Sequence, residues 1–313
     1  MRPEVRVLLR DGALRVETTP ELHPLVSSWL PLLPYADRAT APGGAVVRLI
    51  EGPAISPPDA PPVLRLGTVN AWVAGASLLL AGPDGCSGHA RLDAASAELR
   101  VPSQADRGAA AWAVYSMASL ACALLLGRME RTLAHAAAVV APDGRAWLIV
   151  GDTHAGKSTT AANLLQGGWR FVSDDNGVLS RAAGGIEVEG WPRHFHMDEG
   201  WERGAPVGRR AAVDPHRRWP GRWLAAAPLA GLLFPRVEAA LPTALELLAP
   251  ADALAALVRQ SPWLLADRAV APRVLALLRD VAALPAYALR LGRDSYASPE
   301  LLIERLLPAV EQP

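Results

Sequence analysis

An eight-residue glycine-rich motif constrains the fold of this chain more than any other feature. Residues 151–158 read G-D-T-H-A-G-K-S, which satisfies the pattern G-x-x-x-x-G-K-[ST]. An apolar run, residues 145–150, comes directly before the motif, and a short helix is predicted from Ser158 to Gln166. A strand, this loop and a helix in that order form a phosphate loop, in which backbone N–H groups surround phosphate. The motif therefore predicts an α/β fold with the loop at the C-terminal end of a strand.

The motif contains the only lysine of the chain, whereas the other 30 basic residues are arginine. Lys157 therefore lies where a compact ammonium on a flexible stem is needed rather than a planar guanidinium. In a phosphate loop the lysine contacts the β- and γ-phosphates, and the next hydroxyl, here Ser158, binds Mg²⁺. We therefore predict ATP and Mg²⁺ as ligands. The predicted nucleotide-binding residues are Gly151, Asp152, Thr153, His154, Ala155, Gly156, Lys157, Ser158 and Thr159.

Composition argues against several classes of protein. The 31 basic and 31 acidic residues balance, so net charge supplies no attraction for nucleic acid or an anionic membrane. Two distant cysteines, Cys86 and Cys122, make neither a disulfide framework nor a metal site. The uncharged segment 108–127 is long enough to cross a bilayer, but its many alanines favour a buried core helix. With no apolar signal core at the N-terminus, we expect a cytoplasmic protein without nucleic-acid or membrane partners.

The chain is predicted to contain two domains. Residues 1–107 alternate short apolar runs with turns, including a hairpin at Asp11-Gly12, and predict a β-rich N-terminal subdomain. Residues 108–313 begin with a helix from about Ala109 to Arg128 and contain the glycine-rich motif. This second part is predicted to be the phosphate-loop domain.

A histidine lies on the strand that precedes the motif. Two apolar runs, 133–140 and 145–150, flank a turn at residues 141–144. A tight hairpin pairs the last residue of the first run with the first residue of the second, which places His135 opposite Val150. His135 would then stand beside the mouth of the phosphate loop. A register slip of one residue, or a histidine satisfied by a backbone partner, is the alternative.

Two adjacent aspartates follow the next predicted strand. Residues 170–173 read R-F-V-S and end in Asp174 and Asp175. A right-handed strand–helix–strand crossover brings both strand C-termini to one edge of the sheet, so the pair should lie next to the phosphate loop. In phosphoryl transfer one carboxylate supports Mg²⁺ and a second accepts the hydroxyl proton. Taken alone, an Asp-Asp pair would indicate only solvated acids at a strand end.

An arginine-rich segment lies between Glu199 and Trp223. An arginine there can stabilise the transferred phosphate or bind an acidic peptide. A solvated surface loop is the alternative interpretation. Its arginines are Arg203, Arg209, Arg210, Arg217, Arg218 and Arg222.

The chain resembles the catalytic domain of HPr kinase/phosphorylase and related kinases in three places. These are His135, the motif at 151–159 and the segment from Phe171 to Asp175. The resemblance covers about residues 132–179 and extends weakly to 284–292, which look like the closing strand of such kinases. It implies a phosphate-loop kinase domain of the HPr kinase C-terminal type. It also implies that Asp174 is the acid/base at the acceptor hydroxyl, assisted by His135, that Lys157 is catalytic, and that Asp175 lies near the metal.

The glycine-rich stretch that HPr kinases use with HPr has no clear match in this chain. Relatives without it resemble kinases found with ribosomally made peptides, including lasso peptides, in which a serine hydroxyl is phosphorylated. The expected function is therefore an ATP- and Mg²⁺-dependent kinase acting on a hydroxyl, most often a serine of a peptide or protein. A small-molecule kinase and a non-catalytic nucleotide-sensing regulator remain open, and a second copy of the chain is a further candidate partner.

Overall fold

Both strands and helices are distributed along the described chain. The computed structural model describes residues 4–27, 44–190, 193–199, 209–297 and 299–310. Contacts group the chain into two units, residues 1–132 with 262–275, and residues 133–261 with 276–313. The first unit therefore extends beyond residue 107, where the sequence placed the domain boundary, and includes a distant segment.

The first unit is built on an eight-stranded mixed sheet. Its strands are β1 (Glu4–Val7), β2 (Leu14–Thr18), β3 (Ala45–Glu51), β4 (Leu64–Leu66), β5 (Val69–Ala74), β6 (Ser77–Ala81), β7 (Ser87–Arg91) and β8 (Ser96–Val101). They lie in the order β1-β2-β3-β8-β7-β6-β5-β4. The pairs β2–β3 and β3–β8 are parallel, and the other pairs are antiparallel.

Two helices, α1 (His23–Ser27) and α2 (Arg107–Arg128), belong to the first unit. Asp106 caps α2 by accepting a hydrogen bond from the backbone N–H of Ala109. The helix is long and apolar enough to span a membrane, but 72% of its most apolar stretch is buried within the protein. At its end Arg128 donates two hydrogen bonds, of 2.6 and 3.0 Å, to the buried carboxylate of Asp267. This contact attaches the segment 262–275 to the first unit.

A nine-stranded mixed sheet organises the second unit. Its strands are β9 (Arg131–Ala134), β10 (Ala136–Val140), β11 (Ala146–Val150), β12 (Arg170–Ser173), β13 (Gly177–Ala182), β14 (Gly185–Gly190), β17 (Ala226–Val237), β18 (Ala244–Leu247) and β19 (Ala286–Leu291). A separate hairpin is formed by β15 (Phe195–Asp198) and β16 (Arg210–Val213). The helices that follow α2 in the chain are α3 (Lys157–Gln166), α4 (Pro215–Arg218), α5 (Pro250–Arg259), α6 (Ala271–Ala282), α7 (Arg293–Ala297) and α8 (Pro299–Val310). The protein is thus a mixed α/β fold.

Six strands lie side by side near the glycine-rich motif, in the order β12-β10-β11-β17-β19-β18. Strand β11 is parallel to β17, and β17 is parallel to β19. Every residue of β10 and β11 is buried, as expected for central strands covered on both faces. Trp147 and Phe171 belong to the hydrophobic core that α3 helps to form.

The hairpin between β10 and β11 differs from the predicted register by one residue. Val140 pairs with Ala146 rather than Arg145, and Ala136, not His135, pairs with Val150. The backbone N–H of Ala141 donates to the carbonyl of Arg145, so the loop has three residues and ends in Gly144 with φ 88°. A type I turn followed by a left-handed residue has this form and adds one residue to the connection. The predicted register was therefore wrong, and His135 lies between β9 and β10.

Candidate functional site

The glycine-rich motif forms a loop between β11 and α3, and its glycines meet tight steric limits. Gly156 has φ 101°, and a Cβ atom there would lie 2.7 Å from a methyl group of Leu291. A Cβ atom on Gly151 would lie 2.9 Å from Cβ of Ala155. Helix α3 starts at Lys157, directly after this loop. Its first backbone N–H groups lack partners within the helix and favour an anion at this end.

Lys157 points back into the loop and is almost fully buried. Its ammonium donates to the carbonyl oxygens of Gly151 at 2.7 Å and Asp152 at 3.1 Å. The same nitrogen lies 3.2 Å from Nε2 of His135. The compact, rotatable ammonium can exchange these acceptors for phosphate oxygens, which a planar guanidinium cannot do as freely.

Asp174 lies directly against the start of α3. Its Oδ2 accepts a hydrogen bond of 3.1 Å from the Ser158 hydroxyl. The residue is only 3% exposed, and its Oδ1 is buried without a hydrogen-bond partner among the described residues. Burial, with the neighbouring charge of Asp175, raises the pKa of Asp174 to about 7, although the Ser158 hydrogen bond acts the other way. An acid with its pKa in this range exchanges protons readily at neutral pH.

Asp175 is held by two basic side chains. Its Oδ1 lies 3.2 Å from Nδ1 of His135, and its Oδ2 accepts a 2.6 Å hydrogen bond from Arg193. Burial lowers the pKa of His135, and the ammonium of Lys157 acts in the same direction against the charge of Asp175. A neutral imidazole with its proton on Nδ1 can donate to Asp175 and accept from Lys157 through Nε2. One continuous chain of polar contacts therefore runs from Arg193 through Asp175 and His135 to Lys157.

Sequence reasoning did not find Arg193, which is buried at this site. The two strands that follow the acid pair in the chain bring Arg193 to the site. Strands β13 and β14 form an antiparallel hairpin that pairs Gly177 with Gly190, so the chain returns to the acid pair. A Cβ atom on Gly190 would lie 2.7 Å from Cβ of Ser173, which shows how closely the returning strand approaches. The signal in the sequence is the Gly184-Gly185 pair between two strand-like runs, which is typical of a hairpin.

Three arginines of the arginine-rich segment, Arg209, Arg217 and Arg222, contact groups other than the acid pair. Arg209 pairs with Glu199 at 2.7 Å, and Arg217 lies 3.5 Å from Asp214. Arg222 donates to the carbonyl of Gly168, and Arg218 lies near the Trp219 ring. Arg203 and the side chain of Arg210 lie outside the described residues.

One group at this site could help to hold Mg²⁺ together with phosphate oxygens. Mg²⁺ is usually held by one or two carboxylates together with substrate phosphates. The Ser158 hydroxyl, at the start of α3, is an oxygen group that can join phosphate oxygens in holding Mg²⁺, and it donates a hydrogen bond to Asp174. Asp175, the predicted metal ligand, is in contact with His135 and Arg193 instead, and its role stays a prediction.

No protein-family model and no curated protein sequence matches the chain. Among solved structures it is similar to the Hpr(Ser) kinase/phosphatase from Coxiella burnetii. The identity is 12%, the alignment covers 57% of this chain and 95% of that one, and the TM-score is 0.34.

Proposed function

We propose that this protein is an ATP- and Mg²⁺-dependent kinase that transfers the γ-phosphate to a hydroxyl group. One observation carries the proposal. Asp174, a buried acid with its pKa raised to about 7, accepts a hydrogen bond from Ser158 at the end of a phosphate loop. A general base near neutral pKa beside the phosphate-binding residues is what transfer to an alcohol requires.

In the proposed reaction, the carboxylate of Asp174 accepts the proton of the acceptor hydroxyl. The acceptor oxygen forms a bond to the γ-phosphorus while the bond from that phosphorus to the β–γ bridging oxygen breaks, and ADP leaves. Lys157 exchanges the carbonyl oxygens of the loop for phosphate oxygens and stabilises their charge. When bound, Mg²⁺ would neutralise charge on the phosphates, with Ser158 and Asp175 as its predicted ligands.

His135 and Arg193 act on the acceptor side through Asp175. Both hold the Asp175 carboxylate, one at each oxygen. Two neighbouring carboxylates repel each other, and these two basic partners favour charge on Asp175. That charge contributes to the raised pKa of Asp174. The two acids of the pair therefore have different roles because their surroundings differ.

For the acceptor, we propose a serine of a peptide or protein, in the tailoring of a ribosomally made peptide such as a lasso peptide, in the cytoplasm. The support is the resemblance of residues 132–179 to HPr-kinase-related enzymes that lack the HPr-binding stretch. Small-molecule kinases usually begin near their phosphate loop, whereas 150 residues precede the loop in this chain.

Two variants test the function. Asp174→Asn should bind MgATP with near-normal affinity in calorimetry and transfer phosphate at least about 100-fold more slowly, in the range for loss of a general base. Lys157→Ala should lose both binding and transfer. Radiolabelled ATP offered with serine peptides and with small alcohols would identify the acceptor class. Normal transfer by Asp174→Asn would show that the assigned base is wrong, and tight ATP binding without transfer to any acceptor would favour a nucleotide-sensing regulator.

A further inference from the structure

A cavity of about 610 Å³ opens beside the phosphate loop, within the second unit. Its walls are the loop residues 151–155, the ends of β17 and β19, and one face of α5. This volume lies within the range of roughly 300–1,000 Å³ that is usual for small-molecule sites. We infer that this cavity binds the nucleoside part of the nucleotide, an inference that rests on the proposed nucleotide-binding function.

The cavity and the acid pair lie on opposite sides of the phosphate loop. The loop follows β11, and in the sheet β17 and β19 lie on one side of β11 while β10 and β12 lie on the other. The cavity is lined from β17 and β19, whereas Asp174 and Asp175 follow β12. A nucleotide whose phosphates occupy the loop can therefore place its nucleoside in the cavity and its terminal phosphate toward the acids.

One face of α5 forms the outer wall. Asp252, Ala256 and Arg259 all line the cavity and are separated by four and three residues, so they share a helix face. Ala255 is exposed and does not line it. At the end of α5, Gln260 donates a 2.5 Å hydrogen bond to Oδ1 of Asp152 in the phosphate loop. The cavity wall is therefore joined directly to the phosphate-binding segment.

The lining has the mixed chemistry that suits a base and a ribose. Phe234, Val237 and Leu248 supply apolar surface, and Phe234 is half-buried, unlike the two other phenylalanines, which belong to the core. An aromatic ring is a surface on which a nucleobase can stack. Asp252, Glu238 and Glu246 supply carboxylates that can accept hydrogen bonds from ribose hydroxyls or an exocyclic amine. Two of them are paired with arginines that also line the cavity, Glu238 with Arg236 at 3.5 Å and Glu246 with Arg290 at 3.9 Å. An aromatic face beside polar groups of both charges fits a nucleoside.

The test compares two tryptophan substitutions in neighbouring positions of α5. Ala256→Trp fills the cavity, and Ala255→Trp adds the same side chain on the exposed face. Calorimetry in the presence of Mg²⁺ measures binding of ATP and of inorganic tripolyphosphate, which has the phosphates without the nucleoside. We expect Ala256→Trp to weaken ATP binding at least tenfold and to leave tripolyphosphate binding within twofold of the parent protein. Ala255→Trp should match the parent with both ligands.

The remaining outcomes separate this inference from the proposed function. Unchanged ATP binding by Ala256→Trp, or equal weakening of ATP and tripolyphosphate, would overturn the nucleoside site. The nucleoside site would also be overturned if the parent protein bound ATP and tripolyphosphate equally tightly. The same conclusion would follow if Ala256→Trp raised the KM for the acceptor and left ATP affinity unchanged. A parent protein that binds neither ligand would overturn the nucleotide-binding function as well. Should Ala256→Trp fail to fold, Ala256→Met provides a smaller filling group, with a smaller but equally selective loss expected.

Discussion

The ammonium nitrogen of Lys157 lies 3.2 Å from Nε2 of His135, and Nδ1 of the same histidine lies 3.2 Å from Asp175. One imidazole therefore connects the phosphate-binding lysine with the acid pair. Both contacts are satisfied together by a neutral ring, and burial lowers the pKa of His135 toward that form. The histidine thus joins the lysine of the glycine-rich loop to the acid pair.

Replacement of His135 should reduce turnover more than nucleotide binding. His135→Ala removes one basic partner of Asp175 and one acceptor of Lys157. We expect kcat to fall about 10–100-fold, the usual loss when an outer-shell partner is removed, while KM for ATP changes less than about threefold because the loop is intact. Steady-state kinetics measures both. His89→Ala, the same change in strand β7 of the first unit, is the matched control and should stay near the parent rate.

The positions of Lys157 and Asp174 could be predicted from the sequence because each inference used a local sequence pattern or the handedness rule for crossovers. A strand, a glycine-rich loop and a helix placed Lys157, and the right-handed crossover placed Asp174 within hydrogen-bond distance of Ser158. These inferences need no knowledge of side-chain packing. The predicted position of His135 beside the loop also agrees with the structure, although the register used to derive it was wrong by one residue.

What sequence reasoning missed depends on contacts between distant segments. Arg193 reaches Asp175 only because the β13–β14 hairpin returns the chain to the acid pair. The cavity combines residues from β17, β19 and α5, which are neighbours only after the sheet has assembled. The slip in the β10–β11 hairpin came from the left-handed conformation of Gly144, which a turn motif alone does not fix.

The ion pair between Arg193 and Asp175 should stabilise the second unit measurably. Arg193→Met is expected to lower the free energy of unfolding by about 2–3 kcal/mol, somewhat below the 3–5 kcal/mol of a fully buried pair, because Asp175 is partly exposed. Asp175→Asn in the same chain should recover part of that loss, because it removes the carboxylate charge that the Arg193 guanidinium no longer balances. Urea unfolding of both single variants and the double variant gives the coupling energy. As a control, Arg181→Met breaks an exposed pair with Asp280 and should lower the free energy of unfolding by less than about 1 kcal/mol. An equal decrease in Arg193→Met and Arg181→Met would contradict a special role for the Arg193 pair.

Asp174 should make stability fall as pH rises toward neutrality. Its pKa is raised from 3.8 to about 7 on folding, so the folded protein keeps a proton that the unfolded chain has released. This contribution to stability is fully present below about pH 4 and is lost as pH rises through about 7. Asp174→Asn removes the effect, so its stability relative to the parent should grow by about 2–3 kcal/mol between pH 5 and pH 8, at about 1.4 kcal/mol for each pKa unit.

Urea unfolding at pH 5, 6, 7 and 8 measures this trend, and Asp294→Asn serves as its control. Hydrogen bonds from Thr243 lower the pKa of Asp294, so this carboxyl is ionised in both the folded and the unfolded state throughout that range. Its removal should therefore change stability by an amount that does not vary with pH. A pH-independent difference for Asp174→Asn as well would show that Asp174 is not held protonated by the fold.

Alanine substitutions at Gly156 and Gly144 distinguish a steric clash in the phosphate loop from the backbone strain of an ordinary turn. Both glycines have positive φ, 101° and 88°, so alanine at either position costs about 1–2 kcal/mol of backbone strain. Only at Gly156 would the new Cβ atom also meet a neighbour, the buried Leu291, at 2.7 Å, whereas nothing lies within 4 Å at Gly144. Gly156→Ala should therefore be less stable than Gly144→Ala by about 1–3 kcal/mol and should lose tripolyphosphate binding. Leu291→Ala combined with Gly156→Ala relieves the clash, so a return of tripolyphosphate binding would show that packing against β19 shapes the loop. Equal stability of Gly156→Ala and Gly144→Ala would contradict the steric explanation.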